Sequence, residues 1–145
     1  MSGLLSGIFD RGAGALAAKV AAYAEARQAV LAENVANIDT PGYKTRDLPL
    51  GEFQEMVAKA LEESERTGRP IRLRSTRSIE VGRDGTMTFK PVERTGQGLV
   101  FHDQGNRDIE TEMSEMVKTS VLHRVAIEVM KKQGEMLQVA IRERI

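Results

Sequence analysis

Asp108, Glu112 and Glu115 fall at i, i+4 and i+7 near the start of a helical pattern, so they share one helix face. Carboxylates on one face could hold a cation, or divide acid and base roles. A metal site would need further ligands at that spacing, and the nearby sequence offers no His and no second carboxylate set. Their position suggests a simpler role. Asp108, Glu110, Glu112 and Glu115 crowd the front of the helical pattern, and Lys131, Lys132, Arg142 and Arg144 crowd its end, as the helix dipole favours. His102 sits in a polar turn, and His123 on an apolar seam where a polar residue fixes register or partner; neither has the companions of a triad. Gly12-Ala13-Gly14 and Gly96-Gln97-Gly98 lack the strand–loop–helix context and the Lys-Ser/Thr of a phosphate loop. Met113, Met116, Met130 and Met136 read as core or interface filler. No residue is assigned to catalysis, to a cofactor or to a metal, and no small-molecule substrate is expected.

One local charge asymmetry stands out. Arg66, Arg69, Arg72, Arg74, Arg77 and Arg83 share their segment with a single acid, Glu80. Without aromatic interleaving or a recognisable module this does not indicate nucleic acid. It reads as a solvated face, or as a contact for an acidic neighbouring subunit.

The chain as a whole is balanced, with 21 basic and 21 acidic residues over 145 positions. That length makes one domain, or a helical unit with a small insertion. There is no Cys, so there is no disulfide framework. Apolar residues reach 41%, yet aromatics only 4%, which favours helix–helix seams over an aromatic core. No apolar run approaches the roughly 20 residues of a membrane span. Met1–Leu16 is Gly-rich and lacks the basic start and apolar block of a secretory signal peptide, so export would need another route.

The elements follow from periodicity. Residues 1–12 read as a mobile arm. A first helix is predicted from about Ala13 to Asn37, with one stripe at Val20, Ala24, Leu31, Val35 and Ile38 and a second at Leu16, Tyr23 and Val30. Thr40-Pro41 stops it, because Pro has no N–H and restricts the residue before it. Pro41-Gly42 suits the centre of a type II turn, so residues 37–44 form a stiff corner ending in Tyr43 and Lys44. Phe53, Met56, Val57, Ala60 and Leu61 mark a shorter helix closed by Gly68 and Pro70. Strand alternation is expected at Ile71–Arg74 and again at Thr86–Lys90, with a turn at Arg83-Asp84-Gly85 and a third apolar run at 99–101. A last helix is predicted from Asn106–Asp108 to Arg144. Its seam is Ile109, Met113, Met116, Ser120, His123, Ile127, Met130, Gly134, Leu137 and Ile141, in alternating steps of four and three. The fold is therefore expected to be mainly α. Long terminal helices pair as an antiparallel coiled-coil core around a middle helix and a β-rich insertion, with boundaries at 1–12, 13–47, 48–105 and 106–145.

Two stretches resemble one family. Leu31–Lys44, with Asn34, Asn37 and the corner Thr40-Pro41-Gly42-Tyr43, is similar to the N-terminal signature of bacterial flagellar rod and hook proteins. Asn106–Met116, with Asp108, Glu112, Met113 and Met116, is similar to their C-terminal signature. The short chain and the middle helix look most like a proximal rod member. Ser78, and His123-Arg124-Val125-Ala126, depart from that pattern. The resemblance implies a non-enzymatic structural subunit of the basal-body rod in the periplasm, exported through the flagellum's own type III apparatus without a cleaved signal. Its implied partners are copies of itself, other rod proteins, the rod-to-membrane-ring adaptor and the membrane ring, with Ile109, Ile127, Met130, Leu137 and Ile141 on the seam between chains. A cytoplasmic coiled-coil adaptor, or a different short rod subunit, is the alternative.

Overall fold

A computed structural model describes the backbone of residues 2–94 and 104–142, and the side chains of 12–94 and 109–142. The Gly96–Gly98 break, the 99–101 run and His102 lie outside the described residues. The chain forms α1 (Ser2–Ala36), β1 (Arg46–Asp47), α2 (Leu50–Thr67), β2 (Ile79–Val81), β3 (Met87–Phe89), β4 (Val92–Glu93) and α3 (Gln104–Arg142). It is mainly helical, with two small antiparallel sheets, β1–β4 and β2–β3, inserted between the terminal helices.

The backbone of α1 is helical from Ser2, not from about Ala13 as the sequence reading expects. Leu4, Leu5, Ile8 and Phe9 already carry a helical period, which the glycines among them mask. Downstream, α1 is buried on more than one side. Tyr23 and Val30 enter the main core cluster, and Ala17, Ala21, Ala24 and Leu31 are buried as well. A helix buried around much of its girth lies between other elements, and α1 runs between α3 and the middle insertion. It meets α3 antiparallel: Gly14 faces Gln133, Arg27 faces Thr119 and Asn34 faces Glu112, one number falling as the other rises.

The middle insertion packs on α1 through aromatic stacking. The rings of Tyr23 and Phe53 lie 3.9 Å apart and parallel within 1°. The Tyr23 hydroxyl donates to the Leu48 carbonyl at 2.6 Å, and burial pushes this phenol well above its ordinary value. Phe53, Met56 and Ala60 are the buried face of α2, which stops at Gly68 in the left-handed region (φ 66°). The Gly68 N–H closes on the Ser64 carbonyl at 2.8 Å.

One strand expectation changes and the other, Thr86–Lys90, forms as β3. Ile71–Arg74 alternates in burial, with Leu73 in and Arg72 and Arg74 out, but forms no strand. Alternation marks a half-buried surface, while a strand also needs a backbone ladder. Here the edge of β2 is instead met locally: the Val81 N–H donates to Ser75 Oγ at 2.9 Å, and the Thr76 N–H to the Ile79 carbonyl at 2.7 Å. The Arg83–Gly85 turn forms as expected, with Gly85 at φ 82°, and joins β2 to β3. The second pairing, Arg46↔Glu93 and Asp47↔Val92, joins segments that the sequence does not connect by any local pattern.

Candidate functional site

Past Ala36 the chain turns twice, with the Thr40 N–H bonded to the Asn37 carbonyl at 2.9 Å and the Tyr43 N–H to the Thr40 carbonyl at 3.1 Å. Gly42 has φ 77°, as the third residue of a type II turn requires. Asn37 ties off α1 by donating to the Glu33 carbonyl at 2.9 Å and accepting from the Thr40 hydroxyl at 3.4 Å.

Asn34 has the larger role. It is 1% exposed, and its amide imitates a strand. Nδ2 donates to the Arg46 carbonyl at 2.7 Å, and Oδ1 accepts from the Arg46 N–H at 3.1 Å. The helix thus covers the free edge of β1 with a side chain. Tyr43 turns back to the same place and donates its hydroxyl to Asn34 Oδ1 at 3.2 Å. Lys44 pairs with Glu93 on the exposed surface at 3.2 Å.

The second hydrogen of Asn34 Nδ2 reaches across to α3, to Glu112 Oε2 at 3.1 Å. Glu112 is 3% exposed, and its other oxygen pairs with Arg94 just beyond β4. Arg94 also approaches Asp47 at 3.4 Å. Asp47 in turn receives a two-pronged contact from Arg27, Nε to Oδ1 at 3.1 Å and Nη2 to Oδ2 at 3.2 Å. Arg27 completes the circuit to α3 through Glu115 Oε2 at 2.8 Å and the Thr119 hydroxyl at 3.1 Å. Burial lowers the Arg27 value, but the hydrogen bonds to Asp47 and Glu115 outweigh it and the net shift is upward. The Lys118 ammonium, against the opposing effect of burial and with the help of Arg27, holds Glu115 below the usual carboxylate range. Two guanidinium groups therefore face Asp47 and Glu112, and Glu115 has Lys118 in addition. The charges balance within the cluster, which is the condition for burying them at tolerable cost.

This geometry revises the reading of the acids on α3. Glu112 and Glu115 are two and three turns inside a helix that begins at Gln104, beyond the reach of its dipole. They answer guanidinium and amide groups across the interface. The Asp108 side chain lies outside the described residues. Met113 is half exposed and Met116 half-buried. Of the predicted seam, Ser120, His123 and Ile127 are half-buried, while Ile109, Met130, Leu137 and Ile141 are exposed. The buried line of α3 runs instead through Glu112, Thr119 and Ala126, because polar partners on α1 hold that face inward.

Sequence reasoning missed Arg27, Asp47, Arg94 and Thr119. Arg27 offered one signal, since it lies seven residues before Asn34 on the same face of α1. The six arginines of 66–83 are all exposed, and Arg74 pairs with Glu63 at 2.9 Å. Among the described residues no group of three His, Cys, Asp or Glu is placed to hold a metal ion, and no helix is long and apolar enough to cross a membrane.

A family model described as flagella basal body rod protein matches residues 12–44, the part of α1 from Gly12 onward together with the corner. Neither a curated protein nor a solved structure matches the chain at a significant level. The matched stretch contains Arg27, Asn34 and the whole turn, and it supports a structural role in the basal-body rod.

Proposed function

We propose that this chain is a proximal subunit of the bacterial flagellar rod, working as a mechanical element that assembles through its terminal helices. The observation that carries the reading is the Asn34–Glu112 hydrogen bond. It joins a residue of the N-terminal signature to one of the C-terminal signature in a single buried junction. A second feature supports assembly. Met113, Val117, Val121, Val125 and Val129 are spaced by four along α3, and all are exposed by 41–62%. Such an apolar row marks an interaction face. In this account the row, together with Ile109, Ile127, Met130, Leu137 and Ile141, packs on terminal helices of neighbouring subunits as coiled coil. A head-to-tail contact repeated without closure builds a helical tube, and the tube carries torque outward. Copies of the chain, other rod proteins, the ring adaptor and the membrane ring are its neighbours, and the flagellar type III apparatus delivers it to the periplasm. Electron microscopy of basal bodies from cells lacking the chain tests the proposal. Rings without a rod are expected, and a complete rod would refute it.

A further inference from the structure

We propose that the buried polar cluster sets the register of α1 against α3. The helices themselves leave the register open. The buried residues of α1 include Ala17, Ala21 and Ala24, and α3 buries Ala126. Side chains this small fit nearly as well one heptad away, and in paired helices a buried polar group is what excludes the alternative. Four hydrogen bonds depend on the observed register: Arg27 with Thr119 and with Glu115, Gln28 with Ser120 at 3.1 Å, and Asn34 with Glu112. A slide of one heptad moves α3 by about 10 Å. In one direction it sets Arg27 opposite Leu122 and Ala126, which offer no side-chain acceptor. In the other Arg27 would find acids again, Asp108 and Glu112, but Asn34 would stand opposite Gly105, which has no side chain at all, so in that direction Asn34 carries the discrimination. The middle insertion cannot follow such a slide of α3. Asn34 binds both backbone groups of Arg46, and β1 is laddered to β4, so α1, β1 and β4 move together while Arg94 would leave Glu112 behind. The cluster is thus a register lock whose key is divided among three parts of the chain. This holds whether or not the chain is a rod subunit.

The chain has no Cys, so paired cysteines report register directly in the full-length protein. The pair Q28C/S120C reads the observed register, and Q28C/I127C and Q28C/M113C read slides of one heptad in each direction. In the otherwise unaltered chain only the first pair should form a disulfide. The lock is then removed with R27M/E112Q, which leaves Asp47 with Arg94 and Glu115 with Lys118. In that background the yield of a shifted disulfide should rise by at least about tenfold, the factor for losing a single charge-assisted contact, since Arg27 loses Glu115 and Arg94 loses the Glu112 charge. If circular dichroism shows that R27M/E112Q has lost its helix, R27K takes its place, keeping the charge but not the two-pronged geometry. The Q28C/S120C disulfide alone, in whichever variant is helical, overturns the proposal. Shifted disulfides that form as readily in the unaltered chain overturn it as well.

Discussion

Single side chains of the buried junction cannot be removed without orphaning others. Asn34→Ala strips partners from both backbone groups of Arg46 and from Glu112. It should lower unfolding free energy by about 2–3 kcal/mol in a urea titration. Asn37→Ala, whose hydrogen bonds are exposed, should cost under about 0.5 kcal/mol. Equal effects would contradict the division of labour drawn between the two asparagines. The depressed carboxylates fix the response to acid. Glu115 is held down by Lys118 and Arg27 in spite of burial. At Glu52 burial works upward, but donors from Thr76 and Ser78 prevail and the value falls below its ordinary 4.5. Groups lowered on folding stabilise the fold fully above their unfolded value, and this contribution is lost as pH falls through the folded one. Urea midpoints should therefore be steady near neutrality and drop below about pH 4.5. The Tyr23 phenol, raised by burial, has the opposite sign. Its contribution is complete below its ordinary value of 10.0 and is lost above it, so the chain should unfold in alkali and Tyr23→Phe should blunt that limb.

At the scale of elements, local chemistry was legible and distant pairing was not. The corner could be read because Pro41 and Gly42 each impose a backbone angle wherever they occur. Gly68 ended α2 for the same kind of reason. Gly42→Ala meets no atom within 4 Å, so its cost is the strain of a positive φ alone, about 1 kcal/mol in a urea titration. An unchanged midpoint would mean that the turn relaxes. The junction was half visible. Asn34 and Glu112 stood out as signature residues, but Arg27, Asp47 and Arg94 are meaningful only once α1, β1, β4 and α3 converge. The Ile71–Arg74 alternation was real, yet periodicity reports which side is buried and not whether a ladder partner exists. The heptads of α3 likewise marked an apolar stripe. They could not say that Arg27 and Asn34 would draw a polar line of the helix inward and leave much of that stripe outside.

The whole molecule is a pair of long helices with a small body on one side and an uncovered apolar row on α3. Val117, Val121 and Val125 are exposed by more than half, and in the proposed rod this row packs on neighbouring subunits. The doubly substituted chain V121E/V125E separates folding from assembly, because neither side chain supports the core. Its urea midpoint as a purified protein should match that of the unaltered chain within about 0.5 kcal/mol. The decisive measurement is electron microscopy of basal bodies from cells whose only copy of this chain is V121E/V125E. The account predicts rings that lack a completed rod, and normal rods in those cells would contradict it.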